Sequence, residues 1–146
     1  MPSSTRTSGL VADHRRARGL LDTSIIVDLD RLSPAQLPVE AAISAITMAE
    51  LAAGPHATTD PDERARRQDR LQRAEAAFDP LPFDGEASRA YGRVYAAVIA
   101  SGRKARGARA VDLLIAAAAC GAGLPLYTRN PGDFRALEGI IEIIGI

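Results

Sequence analysis

Four carboxylates, Asp22, Glu50, Asp112 and Asp133, stand where apolar runs give way to helical patterns. Asp22 follows the apolar Leu20-Leu21. Glu50 lies one turn into the helical stretch after the apolar run Ala41–Ala45. Asp112 falls in the first turn of the Ala-rich helix expected over Ala108–Ala119. Asp133 falls in the short helix after the run Leu124–Tyr127. In open α/β sheets, ligands bind beyond the carboxyl ends of the strands. Acids gathered at one such edge repel one another, and only protons or a cation relieve that. An all-oxygen donor set suits Mg2+ or Mn2+. Held beside a phosphate, such an ion can activate water and stabilise the charge that develops on a phosphodiester.

Each acid also has a local explanation. Asp22 fits a helix N-cap. Thr47-Met48-Ala49-Glu50 reads as a capping box. Asp112 suits the positive end of a helix dipole. Asn130-Pro131-Gly132-Asp133 has a cap, a proline at the first helical position and an acid in the first turn. The set is less ordinary than its members, because a parallel sheet would present all four at one edge. Asp112 also precedes the apolar Leu113-Leu114-Ile115-Ala116-Ala117-Ala118, and a lone carboxylate beside such a surface needs a strong partner.

Short polar groups and cations flank these acids. Thr128 could orient a water or a carboxylate, and Asn130 is read as a helix cap. Arg103, Lys104, Arg106 and Arg109 precede Asp112 with no acid among them. They form either a solvated loop or a set of phosphate contacts along an RNA strand. No aromatic platform accompanies them, so any RNA binding would rest on charge and shape. His14 and His56 lack ligand spacing, Cys120 lacks a neighbouring histidine, and there is no Gly-rich phosphate loop.

The elements that must position these groups alternate. Strands are expected at Leu20-Leu21, Ala41–Ala45, Leu124–Tyr127 and Ile140–Ile144. Helices are expected over Thr23–Leu32, Thr47–Ala53, Asp60–Phe78, Gly85–Ser101, Ala108–Ala119 and Pro131–Leu137. Alternating strands and helices indicate βαβ units and a parallel sheet. Asp60–Phe78 carries five acids and five arginines, read as a solvated face with i,i+4 pairs.

Composition bounds the rest. A chain of 146 residues is long enough for one domain with a real core. Acids and bases balance at 18 each, so net charge gives no nucleic-acid signal. Residues 1–18, rich in Ser, Thr and Arg, read as a flexible basic extension, and residues 19–146 as the folded domain. A single cysteine and no apolar run of membrane-span length point to a soluble, cytoplasmic protein.

Leu20-Leu21-Asp22-Thr23-Ser24, Ser44-Ala45-Ile46-Thr47-Met48-Ala49-Glu50-Leu51, Asp112-Leu113-Leu114-Ile115-Ala116-Ala117 and Thr128-Arg129-Asn130-Pro131-Gly132-Asp133-Phe134 together resemble the successive motifs of PIN-domain ribonucleases. The nearest group is that of the VapC-type toxins. The resemblance runs from about Gly19 to the C-terminus. It implies a three-layer PIN-like fold, with a central parallel sheet of four to five strands flanked by helices. It implies a Mg2+- or Mn2+-dependent endoribonuclease that cuts tRNA, rRNA or mRNA as the toxin of a toxin–antitoxin pair. A small antitoxin partner, a homodimer, and a heterotetramer or larger complex with the antitoxin are implied as well. Carried over by position, Asp22, Glu50 and Asp112 fall on the family's core acids. Where many members have a fourth aspartate this chain has Asn130, and Asp133 would have to serve. Two other readings remain: a PIN-like interaction module without catalysis, and a phosphoacceptor on a similar α/β fold. The latter is disfavoured because Thr23-Ser24, and not a second acid, follows Asp22.

Overall fold

The computed structural model of the protein describes residues 15–103 and 108–146. Four short strands, β1 (Arg18–Leu21), β2 (Glu40–Ala42), β3 (Leu126–Thr128) and β4 (Ile143–Gly145), make one sheet in the order β2-β1-β3-β4. Every pairing is parallel, with Leu20 opposite Ala42 on one side and Leu126 on the other. The described helices are α1 (Thr23–Val27), α2 (Ala45–Ala53), α3 (Pro61–Ala77), α4 (Gly85–Ala100) and α5 (Ala108–Ala122).

Side chains alternate across a strand, and both faces of this sheet are covered. Leu20, Leu126 and Ile143 pack with Ala90, Val94 and Val98 of α4 and with Leu113, Ala116 and Ala117 of α5. Their neighbours Leu21, Tyr127 and Ile144 pack on the opposite face, with Ile25 and Ile26 of α1, Leu51 of α2 and Ala74 of α3. Burial on both faces is why the strands read as unbroken apolar runs. The expected three layers are present, with four strands in the middle one.

The Ala-rich helix α5 lies directly against α4. A Cβ on Gly121 would meet the backbone of Glu86 and Ala87 at 2.8 Å, so glycine is required for that approach. The helix runs to Ala122, three residues past the expected end at Ala119, and closes at Gly123. Gly123 takes φ +67°, its N–H donates to Cys120 O, and Leu124 N–H donates to Ala119 O, a Schellman closure. The long helices α3 and α4 start on the caps Asp60 and Asp84, each accepting a backbone N–H. The i,i+4 pairs expected on α3 form between Glu63 and Arg67 and between Asp69 and Arg73.

Several boundaries differ from expectation. The helix expected over Thr23–Leu32 ends at Val27, followed by a 3-10 turn at Leu29–Arg31. Asp28 leaves helical dihedrals (φ −103°, ψ 13°), and its carboxylate accepts from Arg129 Nε at 3.2 Å. The strand expected over Ala41–Ala45 is Glu40–Ala42, because Ser44 already caps α2. Pro131–Leu137 is a 3-10 helix, and the last strand is confined to Ile143–Gly145.

Of the extension expected over residues 1–18, residues 1–14 lie outside the described residues. The remainder is folded. The carbonyls of Arg16 and Ala17 accept from Val39 and Glu40, and the Arg16 guanidinium pairs with Glu142. Among the described residues, no helix is long and apolar enough to cross a membrane.

Candidate functional site

Asp22 follows β1 directly, and its N–H donates to Tyr127 O at 3.0 Å, which keeps it in the sheet. Extended dihedrals (φ −79°, ψ 174°) then make it the N-cap of α1, with Oδ1 accepting from Ile25 N at 3.3 Å and from Ser24 Oγ at 2.5 Å. It is only 5% exposed. Burial pushes its carboxyl up from the ordinary value, and hydrogen bonds from the Ser24 and Thr128 hydroxyls and the Ile25 N–H pull it back. The capping role read from the sequence is therefore real, and it also aims a buried acid at the strand edge.

Thr128 ends β3 fully buried. Its hydroxyl supports Asp22 and accepts from Asn130 N–H at 3.0 Å. Of the two roles open to Thr128, orienting a carboxylate is the one this contact serves. The Ser24 hydroxyl accepts from Arg129 N–H at 3.0 Å, so the end of β3 is tied to the start of α1.

Glu50 reaches the same edge from α2. The capping box expected at Thr47–Glu50 does not form. Ser44 is the N-cap, accepting from Thr47 N at 3.1 Å, and Thr47 is a fully buried residue of the first turn. Relieved of capping, the Glu50 carboxylate lies 2.5 Å from Thr23 Oγ1, the residue next to Asp22. Thr23 Oγ1 is also 3.1 Å from Thr47 Oγ1. One hydroxyl proton serves one strong acceptor, and the carboxylate is the stronger of the two.

Asp112 projects from the second turn of α5, not the first, with its carboxyl partly buried. Burial raises that carboxyl from 3.8 to about 6, assisted by the charges of Asp22, Glu50 and Asp133 and opposed by Arg109. The four acids, carried by four separate segments, thus share one electrostatic neighbourhood. Asp133 is its exposed member, in the first turn of the Pro131–Leu137 3-10 helix. Asn130 holds the N-cap position read from the sequence, but through its carbonyl, which accepts from Asp133 N–H at 3.0 Å; its side chain makes no capping hydrogen bond.

Two of the four cations read as possible phosphate contacts hold the Asp133 turn in place. Arg103 Nη1 donates to Gly132 O at 3.2 Å and Arg109 Nη1 to Asp133 O at 3.0 Å. Lys104 and Arg106 lie outside the described residues.

The donor set is chemically suited to a hard divalent cation: four carboxylates, with hydroxyls from Thr23, Ser24 and Thr128 beside them. Among the described residues, no three carboxylates already form a coordination group. Asp22 is held by Ser24 and Ile25, and Glu50 by Thr23, so the acids are restrained singly. Sequence reasoning passed over Thr23, Ser24 and Thr47 as working parts. The available signal was a pair of hydroxyl residues immediately after a strand-end acid.

A family model described as PIN domain matches residues 19–140. Ribonuclease VapC5 of Mycobacterium tuberculosis is 36% identical over 135 residues, covering 89% of this chain and 96% of the relative. A crystal structure of VapBC-5, a member of the VapBC family of toxin–antitoxin systems from Mycobacterium tuberculosis, superposes with a TM-score of 0.78 at 37% identity, over 89% of this chain and 99% of that one. The FitAcB structure from Neisseria gonorrhoeae matches at a TM-score of 0.64 and 25% identity, over 86% and 96%. The acids at the strand edge, the parallel sheet between helices and these likenesses agree, and the chain belongs to the PIN-domain family, on its VapC-like side.

Proposed function

We propose that this protein is a Mg2+- or Mn2+-dependent endoribonuclease that acts as the toxin of a toxin–antitoxin pair. The observation that carries the reading is the Asp112 carboxyl, raised to about 6 by burial and by three acids from three other segments. Such a cluster favours protons or a divalent ion, and near neutral pH protons are scarce. The VapC5 relative, which is named a ribonuclease, supports the choice of RNA.

In this scheme Asp22 and Asp112 hold the main ion. Glu50 orients the attacking water or binds a second ion, and Asp133 completes the cluster from its exposed turn. When bound, the metal lowers the pKa of water and offsets charge on the phosphodiester. Burial disfavours the charged form of Asp22, and the Ser24 and Thr128 hydroxyls oppose that and aim the carboxyl, while Thr23 fixes the Glu50 carboxylate. Arg103 and Arg109, with Lys104 and Arg106 beside them in sequence, supply positive charge for the RNA backbone. A water oxygen bonds to phosphorus and the P–O bond to one ribose oxygen breaks. The products are a phosphate end and a free hydroxyl, with the water's protons passing to the leaving oxygen and to solvent. A small protein antitoxin belongs to the same proposal, supported by the match to VapBC-5, a member of a family of toxin–antitoxin systems; a homodimer and a cytoplasmic setting are part of the proposal as well.

The test is cleavage of end-labelled tRNA and total RNA by the purified protein with Mg2+ or Mn2+. Asp22→Asn and Asp112→Asn should abolish cleavage with the fold intact, and EDTA should do the same to the parent. Cleavage that persists in the double variant sinks the assignment. A second reading, a PIN-like interaction module without catalysis, is favoured by Asn130 at the family's fourth acidic position. It is separated by calorimetry, because the module would bind no Mn2+ through these carboxylates.

A further inference from the structure

A cavity of about 320 Å3 opens beside Thr23 and Glu50 and is bounded across from them by Glu63, Arg67 and Arg70 of α3. A second cavity, about 270 Å3, lies between α1 and α3 and shares Val27 and Arg70 with the first, so the two are neighbours in one groove. Its floor is apolar, made by Ile26, Leu29, Ala74 and Phe78.

The other arginines on this stretch of α3 are engaged. Arg66 and Arg67 pair with Glu63 at 2.9 and 3.5 Å, and Arg67 also donates to Gly54 O at 3.0 Å. Arg73 pairs with Asp69 at 3.0 Å and with Asp30 at 3.5 Å. Arg70 is half-buried and, among the described residues, has no ion pair and no hydrogen bond. Of the acids that line the two cavities, Glu63, Asp69 and Asp30 are paired with Arg66, Arg67 and Arg73, and Glu50 accepts from Thr23. A partly desolvated guanidinium without an acceptor is unfavourable, and its five donors are open to an anion from outside.

We propose that this groove is a nucleotide subsite for the RNA strand, and that Arg70 binds a backbone phosphate flanking the cleaved one. The proposal rests on the ribonuclease reading above. Glu50 and Arg70 line the same cavity, so an anion on Arg70 sits next to the acidic edge and not on a remote face. The acidic cluster repels a polyanion, and a cation at its margin offsets that locally. The ribose and base then lie along Val27, Ile26 and Phe78, an apolar surface that does not discriminate among bases. An acidic side chain of a protein partner would also satisfy Arg70. The lining shared with Glu50 favours the substrate instead.

The experiment uses the full chain with Asp112→Asn, which binds without cutting, and a fluorescein-labelled single-stranded RNA read by anisotropy across a salt series. Adding Arg70→Gln should weaken binding about tenfold and reduce the slope of log K against log salt by about one. Arg70→Lys, which keeps the charge, should recover most of the affinity. Equal affinity and slope for the Arg70→Gln variant and its parent overturn the subsite and leave the nuclease reading intact. Binding of RNA by neither, together with no cleavage by the wild-type chain, fails that reading instead. Unchanged RNA binding with loss of binding to a cognate antitoxin assigns Arg70 to a protein contact and also overturns the proposal.

Discussion

Thr23 Oγ1 lies 2.5 Å from Glu50 Oε1, joining residues 27 positions apart in the chain. The contact links the turn after β1 to the middle of α2, and so sets one acid of the cluster relative to its neighbour. Partners that orient a metal ligand from behind matter nearly as much as the ligand itself.

Thr23→Val keeps the shape and removes the hydroxyl. Metal affinity or cleavage should fall about ten- to a hundredfold, the usual effect of losing such a partner. Thr23→Ser should restore most of it. Mn2+ calorimetry and single-turnover cleavage give the answer, and parent-like values for Thr23→Val would reduce the contact to packing.

Asp112→Asn should separate stability from activity. The folded carboxyl titrates at about 6, above the ordinary 3.8, so the folded chain binds this proton more tightly than the unfolded one. That contribution is complete below about pH 4 and is lost as pH rises through about 6. At neutral pH the ionised group then costs the metal-free protein about 1 kcal/mol, a figure reduced for its partial exposure. In EDTA, thermal melts should show Asp112→Asn more stable than the parent at neutral pH and equal to it near pH 4. The variant should cut no RNA at either pH.

Divalent ions should reverse the same repulsion. Mn2+ added to the parent should raise its melting temperature, since a ligand of the folded state stabilises by mass action. The rise should shrink as pH drops below about 6 and protons claim Asp112. Asp22→Asn should abolish it. Asp133→Asn, at an exposed position, should keep most of it and lose about tenfold in cleavage, a loss at the low end for a metal-site partner.

Gly121→Ala is a test of packing alone. Its Cβ would stand 2.8 Å from backbone atoms of Glu86 and Ala87, which cannot swing aside as a side chain does. Forcing α4 and α5 apart should cost about 1–3 kcal/mol. Denaturant melts would register it, and Mn2+ affinity of the folded fraction should be unchanged.

The amino-acid sequence by itself determined the features that neighbours along the chain can settle. Apolar runs placed Leu20-Leu21 and Leu126-Tyr127 in strands. Asp60 and Asp84 started helices, Gly123 ended one, and Asp22 capped α1. All of these depend on dihedral preference and hydrogen bonds within a few residues. Tertiary structure decided the rest. Ser44 took the cap that Thr47-x-x-Glu50 had offered, which released Glu50 to Thr23. Asp28 ended α1 early because Arg129, a hundred and one positions away, draws its carboxylate. Arg103 and Arg109 turned to the carbonyls of Gly132 and Asp133. Above all, the packing of α5 and the strand order β2-β1-β3-β4 set how deeply Asp112 is buried and how near the other acids lie, and hence how far its carboxyl is raised. Charges interact through space with a strength set by separation and burial, and neither quantity is written in the spacing of residues along a chain.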